Sequence, residues 1–122
     1  MRNFKDSYTF KDSYTFQDRL NESTRIIYKY PDRIPIICEK RNGDKHIPDI
    51  DKHKYLVPKE LTIGQFMYVI RKRIHINSDE SIFLFTNGII PPSSVTIGAI
   101  YDIYKDDDLF IYFTYTKENT FG

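Results

Sequence analysis

Leu61-Thr62-Ile63-Gly64-Gln65-Phe66-Met67-Tyr68-Val69-Ile70-Arg71-Lys72-Arg73-Ile74 is the stretch that decides the fold. Ile63, Phe66, Met67, Ile70 and Ile74 recur at helical spacing and form one stripe, with Thr62 placed to cap the first turn. One long helix with a single apolar stripe needs a sheet to cover it. Upstream, Arg33-Ile34-Pro35-Ile36-Ile37-Cys38-Glu39-Lys40 alternates as a strand, with Ile34, Ile36 and Cys38 on one face and Pro35 and Ile37 on the other. Both faces therefore bury something. Asn42-Gly43-Asp44 marks a turn, and Lys54-Tyr55-Leu56-Val57, closed by Pro58, makes the second strand of a hairpin.

Downstream, Ser81-Ile82-Phe83-Leu84-Phe85-Thr86 is apolar on both faces, as a central strand would be, and Asn87-Gly88 turns it. Thr96 to Tyr104 reads as a short helix, Lys105 to Asp108 as a turn, and Leu109 to Thr116 as the last strand. Toward the N-terminus, Phe16, Leu20, Ile26 and Ile27 fall at roughly helical spacing until Pro31 ends the run. The order is a helical extension, two strands, a long helix, a strand, a short helix and a strand. That order predicts an α+β fold, a ubiquitin-like β-grasp with an N-terminal helical extension.

Lys5-Asp6-Ser7-Tyr8-Thr9-Phe10 is repeated at once as Lys11-Asp12-Ser13-Tyr14-Thr15-Phe16. A period of six suits neither a helix nor a heptad, and two copies are too few for a solenoid, so the duplication lengthens an arm. Residues 1–15 are read as a mobile N-terminal arm, 16–116 as the helix and domain proper, and 117–122 as a flexible tail.

A chain of 122 residues, 40% hydrophobic and 16% aromatic, supports one core and one domain. A formal net charge of +1 points away from nucleic acid, and no apolar run reaches the roughly 18 residues of a membrane span. With no leader-like segment and one cysteine, a cytosolic location is expected. Cys38 shares the core face of its strand and reads as an inert buried thiol rather than a nucleophile. His46, His53 and His75 lack ligand spacing, and Asp106-Asp107-Asp108 lacks the alternating oxygen ligands of a calcium loop, so no metal and no catalytic residue is assigned. A hydrolase fails for want of a nucleophile and base.

Tyr30-Pro31-Asp32-Arg33-Ile34-Pro35, Asp51-Lys52-His53-Lys54-Tyr55-Leu56-Val57-Pro58, Ile70-Arg71-Lys72-Arg73-Ile74 and Glu118-Asn119-Thr120-Phe121-Gly122 together closely resemble the autophagy-related protein eight family, whose animal members are the GABARAP and light-chain-three proteins. The resemblance runs from about Phe16 to Gly122. It implies a modifier joined through Gly122 to phosphatidylethanolamine, a covalent lipid and not a cofactor. It also implies activating, carrier and deconjugating enzymes as partners, and an autophagosome or vesicle membrane as the site of the lipidated form. A glycine end fits that chemistry, because no side chain crowds the activated carbonyl.

The same resemblance implies a docking groove for receptors with an aromatic-x-x-aliphatic motif. Glu22, Ile26, Pro35, Ile37, Lys54, Leu56 and Phe110 would line the aromatic pocket. Tyr55, Val57, Pro58, Leu61, Phe66 and Val69 would line the aliphatic one, with Phe66 also claimed by the helical core stripe. Arg33, Lys52 and Arg73 would meet acidic residues flanking the motif. The protein is expected to be a monomer and not an enzyme. A module that uses the groove without being conjugated is the competing reading, and Gly122→Ala separates the two.

Overall fold

The computed structural model describes residues 9–118. The order of elements is α1 (Phe10–Ser13), α2 (Phe16–Lys29), β1 (Arg33–Lys40), β2 (Lys54–Pro58), α3 (Ile63–Ile74), β3 (Ile82–Phe85), α4 (Ile97–Tyr104) and β4 (Ile111–Lys117). Four strands form one sheet in the order β2-β1-β4-β3. The central pair, β1 and β4, is parallel, with Ile36 opposite Ile111 and Cys38 opposite Phe113. Antiparallel β2 and β3 flank it, which is the β-grasp arrangement anticipated from the element order.

α3 exists because its sequence supplies both a stripe and a cap. Thr62 and Gln65 exchange side-chain and main-chain hydrogen bonds in a capping box, and His75 ends the helix in the left-handed region at φ 57°. Ile63, Phe66, Ile70 and Ile74 are buried on the sheet face carrying Ile34, Ile36, Cys38, Tyr55, Val57, Leu84, Ile111, Phe113 and Tyr115. α2 takes the opposite face, where Ile26 closes over Ile37 and Phe110. β1 is buried from Ile34 to Cys38 because it lies between the two layers.

Four differences from the sequence reading have clear causes. β3, whose two apolar faces read as those of a central strand, is an edge of the sheet, and its Phe83 and Phe85 are only half-buried, packed on each other at 6.0 Å. The segment assigned to a mobile arm contains α1, whose Thr9 and Asp12 form a second capping box, and Phe10 packs edge-on against Phe110 at a centroid distance of 5.2 Å. Phe16, counted in the apolar stripe of α2, is exposed, whereas Ser23 is buried and donates its hydroxyl to the Asp108 carbonyl. The β1–β2 connection is long, and its Ile47 and Ile50 join the main core, held by the Tyr115 hydroxyl bonding the Pro48 carbonyl at 2.8 Å. Isolated isoleucines between prolines and charges have no periodicity from which to infer burial.

Candidate functional site: a free sheet edge between two apolar clusters

β2 is an edge strand, and its pairing decides which main-chain groups remain free. The Cys38 amide donates to the His53 carbonyl at 2.8 Å and the Lys59 amide to the Asp32 carbonyl at 3.2 Å, so odd-numbered residues of β2 turn their polar groups toward β1. Lys54 and Leu56 therefore aim theirs outward. Pro58 falls at the same parity, so its missing N–H costs nothing in the β1 pairing and ends the outward row of donors. The Arg33 guanidinium donates to the outward Leu56 carbonyl at 3.1 Å, from the residue that faces Pro58 across the pair.

Side chains alternate the other way. Tyr55 and Val57 are buried on the α3 face, while Lys54 and Leu56 lie half-buried on the α2 face. Leu56 packs on the Ile26–Ile37–Phe110 cluster. Glu22 of α2 and Lys54 of β2 form an ion pair across this cluster, backed by Arg25 at 3.7 Å from Glu22. Of the residues expected around an aromatic pocket, Ile37 and Phe110 have no exposed surface and Ile26 and Pro35 are buried, so they form a floor. Glu22, Lys54 and Leu56 form the rim.

On the α3 side, Leu61 and Val69 line an open depression of about 500 Å³ together with Thr62, Gly64, Gln65, Tyr68 and Ser93. Tyr68, exposed on α3, was not singled out from sequence, because a polar-edged aromatic off the apolar stripe has no pattern to betray it. Phe66, expected around the aliphatic pocket, is as deeply buried as Ile37 and Phe110 are on the other face. It has no exposed surface and packs edge-on to Tyr55 at 5.6 Å and tilted to Phe113 at 5.5 Å, so its side chain belongs to the core. Pro58 is exposed at the end of the edge.

The three basic residues expected beside the groove are scattered by their contacts. Arg73 pairs with Asp51 at 3.1 Å, Lys52 sits over the Tyr55 ring at 5.2 Å, and Arg33 holds the Leu56 carbonyl. A second depression, of about 410 Å³, shares Arg33 and Pro35 but runs away from the free edge toward α4, between Ile27, Lys59 and Tyr101.

α2 is pinned in place by charge. Asp108 is fully buried and accepts from the Arg19 guanidinium at 2.6 Å, from the Phe110 amide at 2.9 Å and from the Tyr112 hydroxyl. Burial, followed by the bond to Asp108, pushes the Tyr112 phenol above its ordinary range. The acidic run read as a turn is one: Leu109 adopts φ 70°, and Asp106 pairs with Lys11 at 2.7 Å. Among the described residues no cluster of His, Cys, Asp or Glu could hold a metal ion. Cys38 is buried, and burial pushes its thiol up, which suppresses the reactive thiolate.

The family model described as "Autophagy protein Atg8 ubiquitin like" matches residues 18–122. The chain belongs to the Atg8 family. Autophagy-related protein 8a of Arabidopsis thaliana is 55% identical over 104 residues, covering 85% of this chain and 84% of that one. Autophagy-related protein 8 of Kluyveromyces lactis is 54% identical over 104 residues, covering 85% and 83%. The crystal structure of Trypanosoma brucei ATG8 superposes with a TM-score of 0.85 at 42% identity, over 94% of this chain and 98% of that one. The fold is thus the ubiquitin-like fold of Atg8 proteins, and the chain is a ubiquitin-like autophagy protein rather than an enzyme. No helix among the described residues is long and apolar enough to cross a membrane. Gly122, the expected conjugation residue, lies outside the described residues.

Proposed function

We infer that this Atg8 chain is conjugated through Gly122 to phosphatidylethanolamine and, on autophagosome or vesicle membranes, recruits cargo receptors by strand addition along β2. Before conjugation it is cytoplasmic, and its further partners are the activating, carrier and deconjugating enzymes of the conjugation system. The observation that carries the docking half is the outward pair of Lys54 and Leu56 main-chain groups, flanked on the two faces of one edge by separate apolar clusters. An added strand alternates its side chains, so residues an odd number of positions apart point to opposite faces. An aromatic and an aliphatic residue three apart on such a strand would straddle the edge. One would meet the Ile26–Leu56 side and the other the Leu61–Val69 side.

A receptor strand would displace the Arg33 bond to the Leu56 carbonyl and part Glu22 from Lys54, freeing cations for acidic residues beside the motif. Exposed pairs of this kind are worth about 0.2–1 kcal/mol each, so they tune affinity and the apolar clusters carry it. The lipid half needs no spanning helix. Two acyl chains contribute about 0.8 kcal/mol per buried methylene, enough for a firm anchor.

Titration calorimetry with a peptide carrying an aromatic-x-x-aliphatic core tests docking. Leu56→Ala should weaken capture about tenfold or more while leaving thermal unfolding within about 1–2 kcal/mol of wild type, since Leu56 is only half-buried. Unchanged affinity would remove the β2 edge from consideration. Mass spectrometry of cellular protein tests conjugation: a lipidated form that persists in Gly122→Ala would refute attachment at that residue.

A further inference from the structure

Framed one residue earlier, the duplication reads Phe4-Lys5-Asp6-Ser7-Tyr8-Thr9 followed by Phe10-Lys11-Asp12-Ser13-Tyr14-Thr15. The second copy occupies a defined dock on the outer face of β1 and β4. Phe10 meets the Phe110 ring at 5.2 Å and Tyr112 at 6.4 Å, and its amide donates to Glu39 Oε2 at 2.7 Å. Lys11 bonds Asp106 at 2.7 Å and lies 4.6 Å from the centre of the Tyr112 ring. Thr9 and Asp12 cap the turn, and Tyr14 packs on Phe10 at 5.1 Å. The ligand for this dock is therefore an N-cap residue followed by Phe-Lys-Asp-Ser-Tyr.

Every one of those chemical groups recurs six residues earlier. Phe4, Lys5, Asp6 and Tyr8 stand for Phe10, Lys11, Asp12 and Tyr14, and Asn3 stands where Thr9 caps. Asparagine and threonine are both favoured at that position. We propose that the dock formed by Glu39, Asp106, Phe110 and Tyr112 is a binding site for the hexapeptide motif and that the two copies of one chain exchange in it. When the second copy leaves, the first slides into its place.

The tether sets the ratio. With the second copy docked, two residues, Tyr14 and Thr15, join α1 to α2; with the first copy docked, residues 8–15 would do so, which is eight. Loop closure scales as roughly the three-halves power of length, so a fourfold longer connection disfavours the shifted register about eightfold. The dock holds the first copy in about one molecule in nine. Losing the second copy then leaves a covered Phe110 cluster rather than a bare one, beside the wall of the receptor groove.

Zero-length carbodiimide coupling of the full chain, read by peptide mass spectrometry, tests the exchange. The wild type should give a Lys11–Asp106 amide as the main product and a Lys5–Asp106 amide about eightfold weaker. In Phe10→Ala with Lys11→Ala, which alters only the connection in the shifted register, Lys5–Asp106 should become the main product. Adding Phe4→Ala should abolish it. A Lys5–Asp106 product indifferent to Phe4→Ala, or its absence from the wild type, overturns the proposal. Coupling a mixture of isotope-labelled and unlabelled chains must give no mixed-mass product; mixed products would place the first copy in the dock of another molecule and refute exchange within one chain.

Discussion

Arg19→Met should be among the most damaging changes available on the surface of α2. Asp108 has no exposed side-chain surface, and the Arg19 guanidinium at 2.6 Å is its only cationic ion-pair partner among the described residues. Removing one member of a buried pair costs about 3–5 kcal/mol, because the remaining charge is left in a poorly solvated place. Here the Phe110 amide and Tyr112 hydroxyl still serve the carboxylate, which puts the expected loss near the lower limit, about 3 kcal/mol. At roughly 2.1 cal/mol/K of unfolding entropy per residue, a chain of this size loses about 4 °C of Tm per kcal/mol, hence about 12 °C. Urea unfolding and calorimetry measure both. Asp108→Asn in the same background should recover part of the loss, with a coupling of about 1–3 kcal/mol in the double-mutant cycle. A loss for Arg19→Met below about 1 kcal/mol, the worth of a solvated pair, would refute the reasoning that burial makes this contact strong. Because Ile26 and Glu22 share the helix that Arg19 holds, peptide affinity should fall alongside stability.

Asp44 accepts from the Thr116 hydroxyl at 2.5 Å, the His46 amide at 2.9 Å and the Lys117 amide at 3.2 Å. Burial draws its carboxyl upward, but these bonds outweigh burial and leave it below the ordinary value. A carboxylate depressed in the folded state adds stability above its unfolded pKa of about 3.9 that is lost as pH falls through the folded value. Asp44→Asn should therefore cost about 1–2 kcal/mol at neutral pH and nothing at the acid end of the titration, as pH-dependent urea unfolding would show. A cost independent of pH would assign it to packing instead. Phe66→Ala should cost about 3–5 kcal/mol by chemical denaturation, whereas Val69→Ala, at an exposed position, should stay within about 1 kcal/mol and show itself in peptide affinity. Equal stability losses would contradict the separation of core from pocket.

Periodicity made most of the fold legible. The stripe on α3 and the two-faced alternation of β1 each name a burial partner before any coordinates exist, because helix and strand present side chains at fixed angles. The two faces of β2 follow the same parity, Tyr55 and Val57 on one and Lys54 and Leu56 on the other, while their pocket roles are what the resemblance implies. The place of Phe66 was not legible, because its helical phase fits both core and pocket. Only the packing of Tyr55 and Phe113 around it decides.

The sequence by itself determined the Thr62 cap of α3, the faces of β1, the α+β order and, through its motifs, the family. Tertiary structure decided which edge of the sheet stays open, that α2 is clamped by Arg19 to a buried Asp108, and that residues 9–15 form a docked turn in place of a loose arm. Local patterns encode what a segment does to its near neighbours along the chain. Contacts such as Arg19 with Asp108 or Phe10 with Phe110 join residues far apart in sequence, and no periodicity within either segment carries the position of the other.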